Sequence, residues 1–180
     1  MKFVTTLTVL ASAVSFCSAV PAATNANAPA TLEPIANGLY ITTFDAAGNE
    51  VVEFTPESEL YNNTAVPALG ERSEGLEKRR EGCGAYVPTA ESDEANRLLL
   101  QRFNGNNVVL GGGKVSYAHN TAISFICVYS GGQKPKTSIA GTWDWVKRVK
   151  CGRDRGGYGQ VLDGSGDWTA GYTFNGDRFC

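Results

Sequence analysis

Asp163 and Asp167 are two carboxylates four positions apart, on either side of a Gly-Ser-Gly turn. Carboxylates in such a loop can ligate Ca²⁺ through their oxygens. They can also act as acid and base in glycan hydrolysis, in which the two carboxyl groups lie ~5–9.5 Å apart. The full calcium-loop pattern is absent, and an Asx-type turn between two strands explains the same residues without a ligand. We therefore interpret the pair first as a turn.

His119 is the only histidine of the chain. Acid–base cleavage of RNA, as in secreted ribonucleases of this size, needs a histidine with Glu and Arg and a second histidine or its equivalent. His119 instead falls in a predicted hairpin turn, where polar residues are favoured. There is no G-x-S-x-G elbow, and oxidised cysteines cannot supply a thiolate. The sequence therefore assigns no catalytic residue.

The cysteines indicate an oxidising environment. Outside the leader described below there are four: Cys83, Cys127, Cys151 and Cys180. This even number predicts two disulfides, and three pairings remain open. A zinc site is not indicated, because C-x-x-C spacing is absent and there is one histidine. We expect neither a metal nor a cofactor.

Five bases lie within nine positions at the end of a predicted helix: Lys147, Arg148, Lys150, Arg153 and Arg155. A solvated helix end explains them, since bases favour a helix C-terminus. The alternative is a binding patch for an anionic surface, such as phospholipid, wall phosphate or nucleic acid. Trp143 and Trp145 cannot both face the same way on a helix. An exposed Trp145 beside these bases suits a glycan, a membrane interface or a protein partner.

The tribasic run Lys78-Arg79-Arg80 separates segments of opposite charge. Residues 20–77 contain nine acids and one base, whereas residues 81–180 contain nine acids and eleven bases. A basic run in a polar linker is the pattern that a kexin-type protease cleaves. The sequence thus predicts a pro-segment at residues 20–80 and a mature domain at residues 81–180. In this hypothesis the acidic pro-segment covers the basic cluster until cleavage.

Residues 1–19 have the features of a secretory signal peptide, with Lys2 before an apolar stretch and small residues up to Ala19. The apolar stretch is shorter than the ~20 residues that a membrane-spanning helix needs. We therefore expect a secreted, extracellular monomer without stable membrane insertion. Asn62 begins a glycosylation triplet within the predicted pro-segment.

The elements that position these residues alternate between strands and helices. Residues 38–55 predict a hairpin, followed by an acidic linker. Helices are predicted from Ser92, as the N-cap, to residue 103 and over residues 139–151. Further strands are predicted at residues 108–110, 114–118, 122–129, 158–162 and 168–174, with a loop at residues 131–135. This order predicts an α+β fold, a two-layer sandwich of an antiparallel sheet with two helices, stapled by disulfides.

Several of these features occur together in one class of protein. The predicted mature part has Cys83-Gly84 near its start, a strand ending in Cys127, a helix ending in Cys151 and a final Cys180. With the leader and the tribasic run, this pattern resembles the small secreted cysteine-rich proteins of filamentous fungi, which include many candidate effectors. It is also loosely similar to the killer toxins of smut fungi, whose two-layer α/β sandwich the resemblance implies here. The resemblance implies no catalytic residues.

Two main functions follow as hypotheses. The first is a non-enzymatic effector or toxin-like protein, released by processing and acting on a host, a competitor or a cell surface. Its target remains open among an anionic surface, a glycan and a host protein. The alternative is a carbohydrate-binding or glycan-hydrolysing protein that uses its aromatic residues with Asp163 and Asp167. A structural wall protein without a specific ligand is a third reading.

Overall fold

The computed structural model describes residues 34–60 and 81–180. The predicted signal peptide, the tribasic run Lys78-Arg79-Arg80 and the glycosylation acceptor Asn62 lie outside these residues. Three helices are present in the described part: α1 Glu57–Leu60, α2 Thr89–Gln101 and α3 Lys136–Trp145, the last continuing as a π-helical turn, Val146–Lys150. Its strands are β1 Gly38–Phe44, β2 Glu50–Pro56, β3 Glu81–Tyr86, β4 Asn107–Leu110, β5 Gly113–His119, β6 Ala122–Val128, β7 Gly132–Pro135, β8 Arg155–Gln160 and β9 Trp168–Phe174.

A large antiparallel sheet dominates the described residues. Seven strands follow the order β2-β1-β5-β6-β9-β8-β3, and β4 pairs with β7 in a separate ribbon. Helix α2 packs on β5 and β6, whereas α3 packs on β8 and β9. The predicted α+β class and the disulfide stapling are confirmed.

The hydrophobic core is formed by buried side chains of the strands and of these helices. Val115 and Tyr117 of β5 are fully buried, as is Ile126 of β6, and they join Leu99 of α2 and Ile139 of α3 in one cluster. Every residue of β6 is buried, which fits its place at the centre of the sheet. This burial explains why β6 is the most apolar strand of the sequence.

Two local predictions were wrong. The predicted loop at residues 131–135 contains β7, because these residues pair with β4, which a local pattern does not reveal. Helix α2 begins at Thr89 rather than after a Ser92 cap. Ser92 is buried in the first turn, where its hydroxyl donates to the Thr89 carbonyl at 3.0 Å. The carboxylate of Asp154 instead accepts from the Thr89 N–H at 2.8 Å, so the helix is capped by a distant residue.

The predicted hairpin of residues 38–55 is confirmed, and it belongs to the main sheet. Its turn is closed by Asp45, whose Oδ1 accepts from the N–H groups of Ala47 and Asn49 at 2.8 and 2.9 Å. β1 pairs with β2 on one side and with β5 on the other. The hairpin therefore shares one sheet with the strands of residues 81–180.

The two disulfides have a crossed connectivity. Cys83 of β3 is bonded to Cys151, which follows the π-helical turn, with Cα atoms 5.5 Å apart. Cys127 of β6 is bonded to Cys180 at the C-terminus, with Cα atoms 6.0 Å apart. One bridge thus secures an edge strand and the other secures the C-terminal residues, where the Phe179 ring stacks on Phe125 at 4.6 Å.

Candidate functional site

An open groove of about 810 Å³ lies along α3 and the end of β8. Its lining combines an indole, an exposed leucine, two carboxylates, an amide and three hydroxyl-bearing side chains. They are Trp145, Leu162, Glu81, Asp163, Gln160, Thr137, Ser138 and Thr142. Such a mixture of apolar surface and convergent polar groups is typical of a ligand site.

Trp145 is placed in the groove by the end of α3. Trp143, two residues earlier, points into the core with 3% exposure, so Trp145 faces another direction and is half-buried. This confirms that the two indoles face different ways. Gly159 of β8 lies beneath the ring, since a Cβ there would sit 3.0 Å from the Cζ3 atom of Trp145. Gly141 of α3 also lines the groove, and its exposed backbone keeps the groove open.

The polar groups of the groove are held by hydrogen bonds. The Ser138 hydroxyl donates to Oδ2 of Asp163 at 3.1 Å. Lys150 Nζ donates to Oε1 of Glu81 at 2.8 Å. Gln160 is exposed, and its Nε2 donates to Asp167 at 3.4 Å. The groove thus presents carboxylate, amide and hydroxyl groups that can make further hydrogen bonds to a ligand.

Asp163 and Asp167 have different surroundings. Asp163 lines the groove, whereas Asp167 does not, and its N–H donates to the Ser130 hydroxyl at 2.8 Å. Both carboxylates interact electrostatically with the ammonium group of Lys134, which is 3% exposed. Burial lowers the pKa of Lys134, and the charges of Asp167 and Asp163 oppose that effect. Among the described residues, no group of three or more His, Cys, Asp or Glu side chains is arranged to hold a metal ion.

Three bases of the predicted patch are paired with acids of residues 81–180. Lys147 is 9% exposed, bonded to Asp93 and placed 5.2 Å from the centre of the Tyr172 ring. Arg148 Nε lies 2.6 Å from the Asp144 carboxylate. Lys150 is the partner of the groove residue Glu81, as described above. These acids neutralise much of the charge that the sequence displays as a run of bases.

The other two bases, Arg153 and Arg155, are exposed in the turn before β8 and at its start. Arg155 Nη2 donates to the Gly84 carbonyl at 3.4 Å. Residues 34–60, the described part of the acidic segment, pair through β1 with β5, whereas β8 lies toward the other edge of the sheet. These residues therefore do not cover the basic cluster.

His119 is the last residue of β5, where the β5–β6 hairpin turns. The turn contains Asn120, whose φ of 51° is a left-handed conformation that Asn tolerates. The His119 Nδ1 atom lies 3.6 Å from Oε1 of Glu57 in α1. The histidine thus lies at a contact between residues 34–60 and the rest of the sheet, away from the groove lining.

The sequence pointed to Trp145 and Asp163 but missed most of the groove. Glu81, Ser138 and Gln160 come from three separated parts of the chain and converge only through the sheet and α3. Comparison with protein-family models, curated proteins and solved structures finds no match to this chain. Within the described residues, no helix is long and apolar enough to cross a membrane. The two disulfides are consistent with an extracellular protein.

Proposed function

We propose that this chain is a secreted, non-enzymatic recognition protein that is released by cleavage after Lys78-Arg79-Arg80 and binds a glycan in the Trp145 groove. One observation carries the proposal. A half-buried indole lies on the glycine backbone of β8, with the carboxylates of Glu81 and Asp163 in the same open groove. The disulfides and the leader sequence support an extracellular site of action.

A sugar ring matches this groove in shape and chemistry. A pyranose has an apolar face, which packs on a flat indole, and a rim of hydroxyl groups, which carboxylates and amides bind. Asp163 opposes the approach of phosphate or phospholipid to the groove because it carries the same sign of charge, whereas Glu81 is paired with Lys150. The groove therefore favours a neutral or amine-bearing polysaccharide over an anionic surface.

The biological setting of the proposal is a cell surface. The resemblance to small secreted cysteine-rich proteins of filamentous fungi supports an effector-like or toxin-like protein that recognises the wall of a host, a competitor or the producing cell. A two-layer sandwich is supported by the packing of α2 and α3 on six-residue and seven-residue strands of one sheet. A rigid sheet under the groove would hold Trp145 in place for binding.

Calorimetric titration with hexamers of β-1,3-glucose, β-1,4-N-acetylglucosamine and β-1,4-glucosamine tests the proposal. We expect binding of at least one hexamer and, in Trp145→Ala, a loss of affinity of about thirtyfold, or ~2 kcal/mol. Tyr86→Ala is the matched control, since Tyr86 is 67% exposed and lies outside the groove lining. Equal losses in the two variants, or no binding by the unaltered protein, would refute the proposal.

Hydrolysis of the bound glycan is the second candidate function. It is favoured by the presence of two carboxylates, Glu81 and Asp163, in one groove. Release of reducing ends by the unaltered protein, abolished in Asp163→Asn but retained in Asp167→Asn, would support hydrolysis. Binding without release of reducing ends supports the non-enzymatic function.

A further inference from the structure

Residues 34–60 contribute to the hydrophobic core, although the sequence places them before the tribasic run. Through residues 38–42, β1 is hydrogen-bonded to β5. Leu39, Ile41 and Leu60 are each 5% exposed and belong to the core cluster that contains Val115 and Tyr117. A disposable spacer does not need such burial, because apolar surface buried against a partner stabilises the association.

Both ends of this segment are also held by polar contacts. At one end, Asn175 is 1% exposed, and its side chain donates to the Ile35 carbonyl at 2.8 Å and accepts from the Ile35 N–H at 2.9 Å. At the other end, Arg102 is 9% exposed and donates to the Leu60 carbonyl at 2.7 Å. Each contact satisfies part of a buried polar side chain of residues 81–180, which would keep its bond to Asn120 or Leu98 but lose the bond to the segment if the segment left.

An ion pair and a histidine–glutamate contact connect the same two parts of the chain. Lys114 Nζ lies 3.0 Å from Oε1 of Glu50 in β2, and His119 lies 3.6 Å from Glu57 in α1. Neither disulfide reaches the segment, since both join cysteines of residues 81–180. The segment is therefore held to the rest of the sheet by many weak contacts and by the polypeptide chain.

We infer that residues 34–60 remain bound after cleavage at the tribasic run, so that the processed protein is a non-covalent complex of two chains. The binding site is the β5 edge with the apolar surface of Val115 and Tyr117, and its occupant is the chain's own β1–β2 hairpin. Loss of the hairpin would expose the backbone edge of β5 and two side chains that are fully buried. This inference rests on the processing step of the proposed function.

Native and denaturing mass spectrometry of the cut protein test retention. The full chain is digested with a kexin-type protease, and a second form carries a site-specific protease sequence in place of residues 78–80. We expect two chains under denaturing conditions but one native complex, whose mass is the sum of the masses of those two chains. A native mass of residues 81–180 alone overturns the inference. If only the second form is cut, the processing step fails while retention is still tested.

Variants with a matched control show whether the buried contacts cause retention. In the cut complex, Ile41→Ala should raise the dissociation rate about tenfold or more, because Ile41 is in the core. Val51→Ala, 44% exposed on β2, should change the rate less than about twofold. If the uncut Ile41→Ala variant lacks a native near-ultraviolet circular dichroism spectrum, Arg102→Met replaces it and is compared with Val51→Ala in the same way. Similar rates for the core and control variants contradict the proposed basis of retention.

Discussion

Removing each disulfide separately tests how the crossed bridges stabilise the sheet. The perturbations are the double variants Cys83→Ala/Cys151→Ala and Cys127→Ala/Cys180→Ala. The paired cysteines are 68 and 53 residues apart, respectively. For loops of these lengths, chain entropy gives a loss of ~4.4 kcal/mol for the first variant and ~4.2 kcal/mol for the second. Loop length alone therefore predicts nearly equal losses in the free energy of unfolding.

The surroundings of the two disulfides predict that the two losses in the free energy of unfolding differ. Cys83 is exposed, whereas Cys127 is fully buried within β6. Loss of Cys180 also releases the C-terminal residues, including the Phe179 ring that stacks on Phe125. Such ring pairs contribute about 0.5–1.5 kcal/mol beyond their buried area. We therefore expect the Cys127→Ala/Cys180→Ala variant to lose about 1 kcal/mol more than the other.

Urea denaturation followed by tryptophan fluorescence measures both losses. Phe179→Ala with both disulfides intact is the control, and it should lose about 1 kcal/mol, the share assigned to the stacked rings. The reasoning is refuted if the Cys83→Ala/Cys151→Ala variant is the less stable of the two. It is refuted equally if either double variant loses less than ~1 kcal/mol, since the loop-entropy argument then fails for this fold.

Three further predictions concern single side chains. Lys147→Met should lower stability to urea by less than ~1.5 kcal/mol, because Lys147 is buried while its partner Asp93 is 61% exposed. The same burial predicts unchanged binding to anionic vesicles, and a clear loss of vesicle binding would instead assign Lys147 to a basic binding patch. Hydrogen bonds from Thr89 lower the pKa of Asp154, so its stabilising contribution is present above about pH 4 and is lost as the pH falls through the lowered value. Asp154→Asn should therefore be less stable than the unaltered protein at pH 7 in thermal unfolding, with the difference shrinking as the pH falls through the lowered pKa of Asp154. A difference that stays constant with pH contradicts this account. Gly159→Ala should displace the Trp145 ring, because the added Cβ would lie 3.0 Å from its Cζ3 atom, and should change the tryptophan fluorescence. We expect glycan binding to weaken about threefold or more. Unchanged affinity would show that the ring position does not matter for binding.

Local patterns in the sequence were sufficient for much of the fold. Alternation and a turn predicted the hairpin of residues 38–55, and a continuous apolar run predicted the buried strand β6. The strand β7 carries no such pattern and exists through its pairing with β4. The disulfide pairing was also unreadable, since it depends on which strand ends meet in space.

Fewer residues of the candidate site than of the fold could be predicted from the sequence. Trp145 could be singled out because two indoles two residues apart on a helix must diverge. The acid partners of Lys147 and Lys150, Asp93 and Glu81, are distant in sequence, so the charge run at residues 147–155 did not reveal these ion pairs. Glu81 and Gln160 carry no local signal, and their place in the groove follows from the pairing of β3 with β8 and from the packing of α3 on β8.

The position of Glu81 in the sequence means that cleavage would change the charge of the groove. It lines the groove, and it is the residue directly after Arg80. In the uncut chain its backbone nitrogen is a neutral amide, whereas cleavage turns that nitrogen into an α-amino group with a pKa near ~8. Proteolysis would thus add a cation at the rim of a groove lined by two carboxylates. The same cut that separates two chains would make the groove less selective for amine-bearing sugars over neutral ones.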